Sequence, residues 1–399
     1  MYIFDHKKRI MRLQESLKAA GTGAAIVILP SNIRYLTGFW GYAARAEYYE
    51  PRRLTCVVIP KNGRPLLVVP KIERTFAQAA VAGLDLRIEH HCEVTIEGER
   101  KDAWGIVRDF IVENGLQNEP VSVEKADLTN RAYAALVDGL EGIRLVESDR
   151  EVERHRSVKD ATEVEVHRAS GHLAARMFDV EVEAIKEGGH REYEVAMKGW
   201  AHTVKACAAC IDSETPNHDH VDSPIGMSAQ LLTSGSRLNR AHGTASTKMI
   251  EPNDIVAIDF CRVPFLLGFR TGFGRIVAQR PLSSTEQDIN AAVRKSYDAA
   301  LDMCRPGAVA SDINQVVTDT LVDAGLGPYI VHSCGRTFGV ETEMKLAEGV
   351  GGSLKADMIV SIEPSVYMDG YQSRIESTFR ITDGAPELLT PIHEGVVQL

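Results

Sequence analysis

Almost every side chain able to do chemistry in this chain falls between Leu231 and Thr382, gathered in five short segments: Leu231–Thr244, Ile255–Arg275, Val331–Gly339, Ile359–Pro364 and Tyr371–Thr382. They contribute two histidines, His242 and His332, three carboxylates, Asp259, Glu363 and Glu376, and the arginine Arg336. Imidazole is the side chain whose unperturbed pKa suits proton transfer at neutral pH. Carboxylates bind cations, and a guanidinium offers carboxylates a planar fork of N–H donors. Two further patterns carry less. Cys207-Ala-Ala-Cys210 has redox spacing but lies near the end of an apolar-periodic helix, with no second pair. His218, Asp219 and His220 sit in a stretch, Ile211 to Asp222, that lacks apolar periodicity and reads as an exposed, solvated loop.

The elements that must hold these residues follow from periodicity. Ile10, Leu13 and Leu17 repeat at helical spacing, and Gly21 to Gly23 end that helix. Ala25 to Leu29 reads as a buried strand, and Ser31 as the cap of a short helical turn over 33–37. Strands recur at 55–59, 65–69, 86–89, 121–123 and 144–146, with helices between them at about 71–83, 102–114 and 128–138. That alternation predicts an α/β layer with a mixed sheet. Helices are expected again over 160–187, 190–207, 284–304 and 309–324.

A chain of 399 residues exceeds the size at which one hydrophobic core keeps growing, so two domains are expected. With 45 basic and 55 acidic side chains the net charge is −10, and no long basic run offers nucleic acid a phosphate-binding patch. No segment approaches the roughly 20 apolar residues of a membrane span, and Met1 to Asp5 leads straight into a charged helix, so a cytoplasmic protein is expected. Seven scattered cysteines read as reduced thiols.

The five segments resemble the catalytic domain of the "pita-bread" family, the M24 group that includes methionine aminopeptidase, aminopeptidase P, prolidase and creatinase. Ser31 to Gly38 resembles the first strand-helix unit of the creatinase-type N-terminal domain, and Glu151 to Ala169 matches its linker. The resemblance implies an α/β domain with a mixed sheet over 1–156, then an α+β pita-bread domain over 157–399, a curved antiparallel sheet with outer helices. Metal-dependent members hold two divalent ions with two Asp, one His and two Glu. Asp259, Glu363 and Glu376 match three of these positions. The second aspartate is Gly272, in Gly268-Phe269-Arg270-Thr271-Gly272-Phe273-Gly274-Arg275, and the histidine is Arg336, in Gly335-Arg336-Thr337-Phe338-Gly339. Losing a carboxylate and the imidazole while gaining a permanent cation reverses the local electrostatics, which predicts no metal and no cofactor. Arg336 is expected either to accept all three carboxylates and meet substrate, or only to neutralise them. The carboxylates would otherwise be taken up by Arg336, Arg374 and each other.

Creatinase is the metal-free hydrolase of the group, and Ala241-His242, followed at the same interval by Asn253-Asp254-Ile255, resembles its catalytic segment. That makes His242 the candidate general base, with Glu363 and Glu376 gripping a cationic substrate group, Asp259 and Arg336 binding substrate, and His332 as a second acid or base. Counting back from Cys56-Val57-Val58 places creatinase's carboxylate-binding arginine at Arg52, with Arg45 and Arg53 near, reaching across a homodimer. Gly274 and Glu50 depart from creatinase and argue against creatine itself. The expectation is therefore a metal-independent, creatinase-like hydrolase of a C–N bond in a small guanidino, ureido or cyclic amidine acid. The alternatives are a metal-dependent Xaa-Pro dipeptidase-like peptidase or lyase of the same fold, and a non-catalytic peptide-binding module.

Overall fold

A computed structural model describes residues 1–42, 53–215, 230–260, 266–393 and 395–399. Two compact units divide the chain between Arg156 and Ser157, with Met1–Ile3 belonging to the second.

In the first unit α1 (His6–Ala19) begins where the Asp5 carboxylate accepts the Lys8 amide at 2.9 Å and buries Ile10, Leu13 and Leu17. β1 (Ala24–Val27), α2 (Pro30–Thr37), β2 (Cys56–Pro60), β3 (Leu66–Pro70), α3 (Arg74–Ala80), β4 (Arg87–His91), α4 (Ala103–Glu113), β5 (Val121–Val123), α5 (Asn130–Gly139) and β6 (Leu145–Glu147) follow. The strands form one sheet in the order β4-β3-β2-β1-β5-β6. It is mixed: β2 runs antiparallel to β1 and β3, whereas β1–β5, β3–β4 and β5–β6 are parallel. Because strand side chains alternate, Ile26, Val58 and Val68 pack with α4 on one face, and Val27, Val57 and Leu67 with α1 and α2 on the other. This two-sided burial is why these strands read as continuous apolar runs. The expected cap at Ser31 is wrong. Ser31 lies inside α2, whose first residue is Pro30, pre-set for a helix start. The Leu29 and Ile28 amides are satisfied instead by the Glu124 carboxylate, at 2.7 and 2.6 Å, a partner too distant in sequence for a capping pattern to reveal.

After α6 (Glu151–Ser157), the second unit opens with α7 (Ala161–Glu187), started by a reciprocal capping box between Asp160 and Glu163. Gly188 and Gly189, both left-handed at φ 72° and 73°, separate it from α8 (Glu192–Glu214). This helix continues past Cys207 and Cys210, well beyond the expected end at 207. The described cysteines form no disulfide with one another. Then come β7 (Gln230–Ser234), β8 (Ile255–Phe260), β9 (Phe273–Ala278), α9 (Ser284–Met303), α10 (Ala310–Asp323), β10 (Gly335–Phe338), β11 (Thr342–Leu346), β12 (Ile359–Ile362), β13 (Ser365–Met368), β14 (Tyr371–Arg374), β15 (Ser377–Arg380), β16 (Glu387–Leu388) and β17 (Val397–Gln398). They make sheets ordered β17-β9-β8-β7 and β11-β10-β12-β15-β16, plus the hairpin β13-β14. Val256, Ile258 and Phe260 pack with α7 and α8, while Ile255, Ala257, Val360 and Ile362 pack with α9 and α10. Helices thus cover the sheets from outside, the α+β plan expected for this part of the chain. No helix among the described residues is long and apolar enough to cross a membrane.

Candidate functional site

Sheet register assembles the site. Asp259 on β8 pairs with Gly274 on β9, and Gly274 bridges in turn to Glu376, so the two carboxylates flank a residue with no side chain. On the neighbouring sheet Arg336 on β10 pairs with Ser361 on β12, and Glu363 follows one residue after that strand ends. Register thus brings Asp259, Arg336, Glu363 and Glu376 together.

The cation at their centre is Arg374. Its Nη1 donates to Asp259 Oδ2 at 2.8 Å, and its Nη2 to Glu363 Oε2 at 2.6 Å and Glu376 Oε2 at 2.5 Å. Only 5% of its side chain is exposed. The missing side chain at Gly274 makes room, since a Cβ there would lie 3.0 Å from Arg374 Nε and 3.2 Å from its Cδ. Arg336, expected to accept all three carboxylates, binds Glu363 through Nε at 2.9 Å and through Nη2 on the same oxygen, while Arg374 is the guanidinium that bridges all three. It stays 27% exposed, whereas the Glu363 beneath it is 1% exposed. Arg374 wins the hub because it and Glu376 are two residues apart on one extended stretch and share a face. Ser361 Oγ completes the cluster by donating to Glu376 Oε1 at 2.6 Å.

The electrostatics follow from burial. Desolvation first, and the Glu376 charge next, push the Glu363 carboxyl up to about 7, against the pull of Arg374 and Arg336. Glu376 is equally buried, which opposes its charge, but Arg374 and then Arg336 hold it below the usual carboxylate range. Burial beside a second carboxylate thus disfavours the charged form of Glu363, whereas the guanidiniums favour that of Glu376.

His332 lies in a polar chain leading away from this hub. Arg374 Nη1 donates to the Tyr367 hydroxyl at 3.0 Å, and that oxygen and Ser365 Oγ lie 3.0 and 2.9 Å from His332 Nε2. His332 Nδ1 is 2.8 Å from the Ser333 carbonyl, so it carries the proton and Nε2 accepts. Burial, then the Arg374 charge, lower this imidazole to about 4. At neutral pH it is an acceptor that orients Tyr367. His332, expected as a second acid or base, thus has the Tyr367 and Ser365 hydroxyls and the Ser333 carbonyl as its partners.

His242 is exposed in the β7–β8 connection. Its neighbours Arg240, Ala241 and Gly243 line a cavity together with Thr233, Asp259, Gln372 and Arg374, so the loop faces the acidic cluster. Tyr367, Ser361 and the hydrogen-bonded pair Gln372–Thr233, at 3.0 Å, were not foreseen; alternation hints only at Gln372, two residues before Arg374, and at Ser361, two before Glu363. Arg52, Arg45, Glu50 and the His218–His220 stretch lie outside the described residues.

With the geometry in place, comparison with known proteins is decisive for ancestry. The pattern of "Metallopeptidase family M24" matches residues 165–383, and that of the "Creatinase/Prolidase N-terminal domain" matches residues 9–158. The chain belongs to the M24 family. Among its relatives is the "Probable dipeptidase PepE" of Mycobacterium bovis, 29% identical, matched over 99% of this chain and 98% of that protein. Among solved structures, the Xaa-Pro dipeptidase from Bacillus anthracis has a TM-score of 0.81 at 22% identity, covering 99% of this chain and 100% of that one. Dipeptidase PepE from Mycobacterium ulcerans has a TM-score of 0.77 at 24% identity, covering 98% and 97%.

These findings correct the expected activity. Relatives matched from end to end are named dipeptidases within a metallopeptidase family, which overturns a metal-independent, creatinase-like hydrolase of a non-peptide C–N bond. The broader expectation of a hydrolase agrees with them. The side chains as they are placed nevertheless do not fit the pair of ions used by metal-dependent members. A Cβ at Gly272 would lie 2.2 Å from Glu376 Oε1 and 2.6 Å from Ser361 Oγ, so an aspartate there requires both side chains to shift from the places they hold. Arg336 stands at the histidine position, and the surviving acids are all bonded to Arg374. Among the described residues no group of three or more His, Cys, Asp or Glu is arranged to hold a metal.

Proposed function

We propose that this M24 chain is a peptidase acting on a small peptide of the dipeptide class. The observation that carries the reading is the end-to-end match to proteins named dipeptidases, which spans both units rather than the second alone. The local chemistry is compatible with it. Peptide hydrolysis adds water to a carbonyl carbon and expels an amine that must gain a proton. His242, exposed on the loop that lines the cavity, takes the proton from water and returns it to the departing nitrogen. Arg336 keeps part of its side chain open to solvent and offers positive charge to a substrate carboxylate. Asp259, Glu363 and Glu376 hold Arg374 rigid between them, and His332 orients Tyr367 at the edge of that group. Arg52 as a carboxylate ligand reaching across a homodimer belongs to the same proposal.

The test is a panel of dipeptides, with and without Xaa-Pro sequences, assayed in the presence and absence of added manganese. Turnover of at least one dipeptide is expected. His242→Asn is expected to lower kcat by about 10²–10⁴ with the melting temperature unchanged, and full activity in that variant would remove the assigned base. One observation favours a second reading, a peptide-binding module without turnover: every acid of the cluster is already paired with a guanidinium. Saturable dipeptide binding with no cleavage across the panel would favour it.

A further inference from the structure

The loop that carries His242 runs for twenty residues from the end of β7 to the start of β8, and a segment of that length needs something to hold its shape. The structure supplies it from outside the loop. Glu192, the first residue of α8, has no exposed surface, yet its carboxylate receives hydrogen bonds from both flanks of the loop. Oε1 accepts the Ser234 amide at 2.8 Å and the Ser234 hydroxyl at 2.9 Å. Oε2 accepts the Ser246 amide at 3.0 Å, the Ser246 hydroxyl at 2.6 Å and Arg237 Nη1. Ser234 lies eight residues before His242 and Ser246 four after it.

The backbone follows the same seam. The amides of Glu192 and Tyr193 donate to the Lys248 and Ser246 carbonyls, each at 3.0 Å, and the Leu232 amide of β7 donates to the Gly243 carbonyl of the loop at 3.1 Å. Lys248 adds a clasp from the far side, with Nζ on Ser234 Oγ at 3.1 Å and Asp254 Oδ2 at 2.6 Å. Two chain segments that would otherwise splay are therefore tied to a single buried anion, and the residues between them line the cavity at Asp259 and Arg374.

We propose that Glu192 is a positioning residue: it fixes the β7–β8 loop that carries His242, holding Arg240, Ala241 and Gly243 on either side of it at the cavity beside Asp259 and Arg374. This rests on the reading of His242 as the proton carrier. Glu192 itself is enclosed and meets no substrate. A carboxylate suits the task because all five groups facing it are donors. The amide of Glu192→Gln would turn an NH2 toward at least two of them.

The test compares the full-length parent with Glu192→Gln by hydrogen exchange and by dipeptide kinetics. Amide exchange at Leu232 and Gly243 is expected to quicken at least tenfold in the variant, while exchange at Val277 in β9 stays unchanged. The kcat for a cleaved dipeptide is expected to fall at least tenfold, with KM changing less than threefold. Unchanged exchange at Leu232 and Gly243, or parental kcat despite a loosened loop, overturns the proposal. A parent with no turnover removes the peptidase reading alone, because the exchange still decides whether Glu192 holds the loop. Should Glu192→Gln not fold, Ser246→Ala deletes one donor and is held to the same outcomes at threefold instead of tenfold.

Discussion

Replacing Arg374 with methionine keeps most of the side-chain volume and deletes the charge on which three acids converge. The substitution removes ion pairs of 2.8, 2.6 and 2.5 Å to Asp259, Glu363 and Glu376, made by a side chain only 5% exposed. Removing one partner of a buried ion pair costs about 3–5 kcal/mol, because the other charge stays in a dry site. The expected loss in the second unit is about 4 kcal/mol at pH 8. It does not triple with three acids, since the abandoned carboxyls take up protons. Their folded pKa values then lie above the unfolded ones, so their contribution to stability is present at low pH and is lost as pH rises. Each extra proton held in the folded variant changes stability by about 1.4 kcal/mol per pH unit, so the deficit should shrink to about 1 kcal/mol by pH 6. The assay is urea unfolding at pH 6 and pH 8, followed by hydrogen exchange of peptides covering Ile359 to Arg380, because two compact units need not unfold together. Arg374→Lys should fall between the parent and the methionine variant, since a point charge cannot bridge three carboxylates as a fork does. A loss under about 1 kcal/mol at pH 8, or the same loss at both pH values, refutes the reasoning.

Two further outcomes are expected. Gly272→Asp places its Cβ 2.2 Å from Glu376 Oε1 and should destabilise the chain by about 1–3 kcal/mol, read as a lower melting temperature; an unchanged one means the site is looser than described. The imidazole of His332 should titrate near 4 by NMR. Its folded pKa is depressed, so the stability it confers is present above the ordinary histidine pKa and fades as pH falls toward 4. His332→Gln should erase that part of the acid sensitivity, and an imidazole titrating near 6.5 would contradict the burial argument.

Much of the fold was legible because its signals are local. The continuous apolar runs of β1, β2 and β3 and the helical spacing in α1 are dictated by two-sided and one-sided burial, which leave a period in the sequence. The entry into α2 was not legible, since Glu124, just past the end of the neighbouring strand β5, accepts the Ile28 and Leu29 amides before the helix begins. The motifs single out Asp259, Arg336, Glu363 and Glu376, which sheet register brings together, whereas their wiring was not legible. Whether Arg336 or Arg374 holds the three acids depends on the pairing of Asp259 with Gly274 and of Gly274 with Glu376, a relation between strands that no single stretch encodes. The activity was misread for a related reason: lost ligand positions point to an altered site, and they do not name the bond it cleaves.

The arrangement of guanidinium and carboxylates is best tested by a crystallographic map of the protein grown at pH 7 with manganese present. The account predicts density for the Arg374 guanidinium between Asp259, Glu363 and Glu376, at the distances of direct ion pairs. An ion or ordered water in that place, with Arg374 turned away from the three acids, would contradict it.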